Sequence, residues 1–217
     1  MSKPHRSRGT GEPSPRQGTM RFWDQRYAEP GYAYGTRPND FLAAVVDRLP
    51  RGRVLSLAEG EGRNGLFLAS RGFDVTGIDQ SAVGLEKARA QALDRGLMLR
   101  TLTADLADYR IEPDRWEVIV SIFCHLPSTI RRRLNREAAT GLVTGGALVL
   151  EAYTPEQIGR GTGGPADPDL TPTLEELRSD LAGLSFEIAQ ETEREVREGR
   201  FHTGRGAVVQ ILAFRTP

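Results

Sequence analysis

Gly60, Gly62 and Gly65 stand in the spacing G-x-G-x-x-G within the stretch Glu59-Gly-Glu-Gly-Arg-Asn-Gly65. That spacing lets the chain turn tightly and bring its backbone against a ligand at the start of a helix. Asp79 follows about 20 residues on, at the end of an apolar run, where a carboxylate receives ribose hydroxyls. Together these residues describe a nucleoside-cofactor site. The acids between the glycines narrow the choice of cofactor. A pyrophosphate favours exposed N–H groups and is repelled by carboxylates. Glu59 and Glu61, interleaved with the glycines, suit instead a nucleoside carrying an ammonium and a sulfonium, which describes S-adenosylmethionine (SAM).

Other side chains with chemistry to offer lie further along. His125 follows the apolar run 116–123 in Ile122-Phe-Cys-His125, and an imidazole there is suited to general-base work near neutral pH. Cys124 beside it reads as buried packing. As the chain's single cysteine it forms no internal disulfide, and no Cys/His cluster has zinc-ligand spacing. His202 and Arg205 are a second candidate pair for the acceptor, the simpler reading being an exposed hairpin end. Glu151 and Tyr153 are pocket candidates by position alone. Phe22, Trp23, Tyr27, Tyr32 and Tyr34 crowd the early chain although only 7% of the sequence is aromatic. A lid over a flat, cationic ligand uses such rings through stacking and cation–π contact. Tyr34, flanked by glycine, suits that lid, while Phe22 and Trp23 also read as pinning an N-terminal helix to the sheet.

These residues need a scaffold that alternates strand and helix. Apolar runs predict strands at 54–58, 73–78, 97–102, 116–123 and 147–153, and helical spacing predicts helices at 63–70, 81–95, 128–140 and 173–181. A covering helix falls within 38–49, capped by Thr36 or Asn39 and ended by Pro50. The fourth run is apolar on both sides and so belongs at the centre of a mostly parallel sheet. Strands at 184–192 and 201–214 close the chain, joined by a polar hairpin region at 193–200. The expected fold is α/β: a Rossmann-like, seven-stranded, mostly parallel sheet with a terminal antiparallel hairpin and helices on both faces. Residues 1–20 are expected to be a disordered basic tail, and residues 21–217 a single domain with 21–50 as lid and covering helix. The loop 154–172, rich in Pro and Gly, lies where such sheets carry function. Arg131-Arg-Arg133 reads as an exposed basic face.

Lys+Arg and Asp+Glu each total 29, so nothing resembles the basic excess of a nucleic-acid binder, and nucleic acid is not the expected partner. No apolar run approaches the roughly 20 residues that span a bilayer. The basic N-terminus has no apolar core behind it, so a soluble, cytoplasmic protein is expected.

Val54-Leu-Ser-Leu-Ala-Glu-Gly-Glu-Gly-Arg-Asn64, Val75-Thr-Gly-Ile-Asp79, Ala104-Asp105 and Thr144-Gly-Gly146 keep their order and spacing, and with them the sequence resembles a class I SAM-dependent methyltransferase over residues 21–215. Glu61-Gly-Arg-Asn64 followed by an apolar helix, with Arg71-Gly-Phe-Asp-Val75, resembles the tellurite-resistance and thiopurine methyltransferase group. The resemblance implies that Gly60 and Gly62 cradle the methionine end of SAM. It implies that Asp79 binds the ribose and that Asp105, with the backbone at Ala104 or Leu106, binds the adenine. Ile122 and Phe123 then stand near the methyl end, with Trp23, Tyr34, Glu59, Glu61, Asn64 and Gln80 as further cofactor contacts and His125 as the catalytic residue. It also implies a small-molecule methyl acceptor, a thiol, selenium or tellurium compound fitting the group. The sequence departs from the pattern at Ser56, where Asp is usual, at Ala58, where Gly is usual, and at Glu59, where a small residue or Cys is usual. Two alternatives follow. A catalytically degenerate regulator draws on Ser56, and an NAD(P)-dependent oxidoreductase draws on the glycines and Asp79 but lacks a Tyr-x-x-x-Lys constellation.

Overall fold

The computed structural model describes residues 19–216, so the disorder expected of the leader lies outside the described residues except at its last two positions. Strands β1 (Arg53–Leu57), β2 (Asp74–Asp79), β3 (Leu99–Thr103), β4 (Trp116–Ile122), β5 (Leu142–Tyr153), β6 (Leu184–Glu198) and β7 (His202–Arg215) form one sheet in the order β3-β2-β1-β4-β5-β7-β6. The first five run parallel, and β7 pairs antiparallel to both β5 and β6. β4 is the central strand, as its largely apolar run requires.

The sheet is buried on both faces because its strands alternate between two cores. Leu55, Ile119 and Leu148 face one core with Leu134 and Ala138 of α5 (Ser128–Gly141) and Leu177 of α6 (Leu174–Asp180). Val54, Val118 and Val149 face the other with Leu42 and Val45 of α2 (Asp40–Val45) and Leu68 of α3 (Arg63–Ser70). Two further helices, α1 (Thr19–Ala28) and α4 (Ala82–Asp94), pack on one another. Side-chain caps set where helices begin. Asn39 accepts from Leu42 N and Ser81 from Gly84 N, and Thr173 and Glu176 form a reciprocal capping box. Among the described residues no helix is long and apolar enough to cross a membrane.

Four expectations need correction. β6 continues to Glu198 and β7 starts at His202, so 193–200 is mostly strand; its charges pair across the hairpin, as Glu193 does with Arg205, and Val196 is buried. β5 begins at Leu142, which pairs with Trp116 across an irregularity before the register resumes at Val118. The covering helix shortens to Asp40–Val45 and a 3-10 turn. The arginine run is not an exposed basic face. Arg131 is buried against the Asp169 carbonyl, and Arg133 donates to the carbonyls of Leu106, Ala107 and Tyr109.

Candidate active site

The strand order reverses between β1 and β4, and a cleft opens there, outside the C-terminal ends of the strands. Its first wall is the turn after β1. Ala58, Gly60 and Gly62 all have positive φ, at 52°, 59° and 93°, a left-handed course that glycine adopts without strain and alanine does not. Asp79 latches this turn to β2. Its Oδ2 accepts from Gly60 N and its Oδ1 from Ser81 N, both at 2.8 Å. Burial raises the Asp79 carboxyl to about 6, opposed by the N–H groups of Ser81 and Gly60, with Asp24 of α1 adding to the rise. A buried carboxylate with spare lone pairs is a ready acceptor for hydroxyl donors.

The two acids between the glycines are engaged inside the protein. Glu59 Oε1 accepts from Gly65 N at 2.7 Å, and its stem fills the space a Cβ on Gly77 would need. Burial raises its carboxyl to about 7, with the Ser56 hydroxyl the chief opposing contact. The carboxyl missing from position 56 is thus supplied beside it from position 59. Glu61 Oε2 accepts from Ala33 N, and its Oε1 pairs with Lys87. The loop acids therefore do not present two unmatched carboxylates to a cationic ligand, a correction to the charge argument. Gly62 is corrected as well. It begins α3 pressed against α4, where a Cβ would meet that of Ala88 at 2.7 Å, and it does not border the cleft.

The cleft holds about 110 Å³ of space and is open to solvent at its mouth. At one end it is bordered by Glu59, Gly60, Glu61, Asn64, Asp79 and Gln80, and by Asp105 and Leu106 after β3. Asp105 caps its own turn by accepting from Ala107 N, and the bonds from Arg133 hold that turn from behind. Trp23 and Tyr34 also line the cleft. Trp23 stacks on Tyr27 with centroids 5.6 Å apart, and Tyr27 rests against Gly60 and Gly84, whose missing Cβ atoms leave room for its ring.

The other end is a box of rings. Ile122 ends β4, Phe123 follows with φ +50°, and His125 stands beyond it. The His125 ring lies nearly parallel to Tyr153, and its Nδ1 is 3.3 Å from Leu170 O in the loop after β5. His202 is 3% exposed and enters the box from β7, with centroids 4.6 Å from Tyr34 and 4.9 Å from Phe123. The exposed-hairpin reading of His202 is therefore wrong. Burial, then the nearby His125 and Arg63 charges, hold its pKa well below the ordinary range, so it is a neutral ring. Arg205, by contrast, lies on the surface paired with Glu193. Burial pushes the Cys124 thiol up to about 12, so it stays protonated. Glu151 is fully buried behind the cleft, bonded by Arg194, Asn39 and Gln210.

Tyr27, named among the early aromatics, also borders the cleft, and so do Gly35 and Arg63, which sequence reasoning passed over. Arg63 carried a signal in its place, directly after the glycine turn and first in the helix. The residues present fit SAM in their donor set. Asp79 offers a carboxylate to hydroxyls, the turn at Asp105 offers backbone polar groups, and three aromatic side chains from α1 and the following loop offer faces to a flat or cationic group.

Residues 54–146 match the family described as methyltransferase domain. Over 159 residues, 72% of this chain and 70% of the other, the sequence is 24% identical to the 2-heptyl-1-hydroxyquinolin-4(1H)-one methyltransferase of Mycobacteroides abscessus. The fold matches a solved structure described as "Conversion of a Disulfide Bond into a Thioacetal Group during Echinomycin Biosynthesis", with TM-score 0.71 and 18% identity over 92% of this chain and 94% of that one. It also matches TehB from Haemophilus influenzae, with TM-score 0.68 and 19% identity over 91% of this chain and 67% of that one. The domain match runs from β1 into the glycine turn of β5, across the strands that build the cleft, so the chain carries a methyltransferase domain on a Rossmann-like sheet, with SAM as its cofactor.

Proposed function

We propose that the protein methylates a small, flat acceptor in the ring box, whose own hydroxyl, giving its proton to His125, attacks the methyl group of SAM as S-adenosylhomocysteine leaves. SAM supplies a methyl group already activated on a sulfonium. The chain has to hold donor and acceptor in line and remove the acceptor's proton. Asp79 binds the ribose hydroxyls, and Asp105 with the Leu106 backbone binds the adenine. Gly60, Glu61, Asn64 and Gln80 border the cofactor, with Glu59 bracing the turn. Trp23 and Tyr34 cover it, and Ile122 lies at the methyl end.

The observation that carries the acceptor reading is the contact of His125 Nδ1 with Leu170 O. A carbonyl only accepts, so the ring proton belongs on Nδ1 and Nε2 keeps the basic lone pair. Tyr34, Phe123 and His202 line the cleft with it, backed by the fully buried Tyr153, and these rings suit an aromatic ligand. The Mycobacteroides relative, named for a hydroxyquinolone, is consistent with that class. A soft thiol, selenium or tellurium acceptor is the finer reading that the group resemblance implies. Such an acceptor ionises more readily and has less need of the base. The domain match does not favour the oxidoreductase and regulatory alternatives.

The test is transfer of labelled methyl from SAM to a panel of hydroxyquinolones, simple phenols, thiols and tellurite. Turnover of hydroxylated aromatics that falls with His125→Asn supports the proposal. Turnover confined to thiols or tellurite, and indifferent to His125, replaces it with the soft-acceptor reading.

A further inference from the structure

Tyr153 ends β5 with its side chain fully buried behind the ring box, and the proposed chemistry gives it no task. Both edges of its ring lie against glycine. A Cβ on Gly164, in the loop after β5, would meet the ring's Cδ2 at 2.6 Å and its Cε2 at 3.0 Å. A Cβ on Gly206 of β7 would meet Cε1, on the other edge, at 3.0 Å. Both distances are well inside the separation at which carbon atoms attract, so an alanine at either position collides with the ring, harder at Gly164.

The width of this slot is fixed. Buried Gln157 donates from Nε2 to Gly163 O and accepts from Ala207 N on Oε1, both at 2.9 Å, so one amide ties together the neighbours of the two glycines. Thr162 Oγ1 donates to Arg205 O, and Thr203 N donates to Thr162 O. Retreat of either wall would break these bonds. A ring held at both edges yields only by turning, and so it keeps its plane.

That plane is passed on to His125. The two rings are 8° from parallel with centroids 5.7 Å apart, an offset stack. The contact of His125 Nδ1 with Leu170 O fixes one atom of the imidazole and leaves the ring free to swing about that bond. A parallel face against the ring removes the swing. The Nε2 lone pair lies in the ring plane, so the plane decides the direction from which a proton is taken.

We infer that Tyr153, clamped between Gly164 and Gly206, is a positioning residue that holds the His125 imidazole in the plane from which Nε2 receives the acceptor's proton. Its effect on turnover rests on His125 as the proposed base; its effect on the ring does not.

The variants Tyr153→Leu, Tyr153→Phe, Gly164→Ala and Gly159→Ala test this by two readouts. Gly159 lies in the same loop with φ +87°, against +85° at Gly164, and a Cβ there meets nothing, so Gly159→Ala carries the backbone strain without the collision. The first readout is the NMR resonances of the His125 ring protons, identified by their loss in His125→Asn. The ring current of Tyr153 displaces them, and they are expected to move in Tyr153→Leu and Gly164→Ala but to hold in Gly159→Ala. The second is turnover of a hydroxylated aromatic acceptor. Tyr153→Leu and Gly164→Ala are expected to lower kcat roughly tenfold to a hundredfold, the effect of a misplaced catalytic group, with KM for SAM within about twofold. Tyr153→Phe restores the ring and is expected to recover most of the loss. Should Tyr153→Leu fail to fold, Gly206→Ala applies the milder push from the strand side.

Unmoved His125 resonances in Gly164→Ala would overturn the inference. So would equal falls in kcat for Gly164→Ala and Gly159→Ala, which would assign the effect to backbone strain, or a Tyr153→Phe as impaired as Tyr153→Leu, which would assign it to the hydroxyl. Turnover indifferent to His125→Asn would remove the base reading and the catalytic half of the inference with it, while the resonances still decide whether Tyr153 sets the ring.

Discussion

His125 is tied to Leu170 by a ring nitrogen 3.3 Å from a carbonyl oxygen, so the loop after β5 sets the orientation of the ring. Replacing His125 by Asn removes the proposed base and keeps a polar side chain. With a hydroxyl acceptor, kcat is expected to fall about 10²- to 10⁴-fold, while S-adenosylhomocysteine affinity is unchanged by calorimetry. With an acceptor already ionised at the assay pH the fall should be far smaller. An equal fall for both acceptors would mean that His125 shapes the box rather than moving a proton.

Asp79 joins the turn after β1 to the turn after β2 through Gly60 N and Ser81 N. Asp79→Ala is expected to weaken SAM binding by more than tenfold, through lost charge-assisted bonds worth roughly 1.5–3 kcal/mol. Isothermal titration measures this directly. Unchanged affinity would place the ribose elsewhere.

Glu59 links stability to pH. Burial raises its carboxyl from the ordinary 4.5 to about 7. Between those values the folded protein holds a proton that the unfolded chain releases. Stability therefore falls as pH rises through that window, by roughly 3 kcal/mol if the whole effect is expressed. Asp79, raised from 3.8 to about 6, acts in the same direction at lower pH. Glu59→Gln keeps an oxygen for Gly65 N and abolishes the charge. Urea unfolding should find it close to wild type at pH 5 and more stable at pH 8. A variant less stable than wild type at pH 8 would refute the burial argument.

Arg194 is the cation shared by Glu151 and Glu198 behind the ring box. Arg194→Met leaves both carboxylates buried beside an apolar chain. The expected loss is about 3–5 kcal/mol, which for a domain of this size lowers Tm by roughly 10 °C. Differential scanning calorimetry reads the shift. A change below about 2 °C would mean that the pair is hydrated or dispensable.

The parallel half of the sheet was legible because its runs of Val, Leu and Ile admit no other burial, and the glycine turn and Asp79 sit where that sheet must place them. Legibility failed where charge hides structure. Residues 193–198 read as a polar turn, yet their acids and bases satisfy one another, so Val196 and Glu198 go inside and the strand continues. His202 was misjudged for the same reason, since a histidine flanked by Arg200 and Arg205 gives no hint that its ring is enclosed. Glu59 and Glu61 show the opposite failure. Their spacing was read correctly, but a side chain's direction depends on neighbours such as Gly77 and Lys87 that no local pattern reveals.

The placement of the tryptophans has a practical consequence. The sequence has two, Trp23 lining the cleft and Trp116 buried at the far end of β4. One indole meets whatever enters, and the other is shielded from it. Intrinsic emission from this chain thus contains both a signal and an internal reference, and ligand arrival can be followed by fluorescence in real time without attaching a dye.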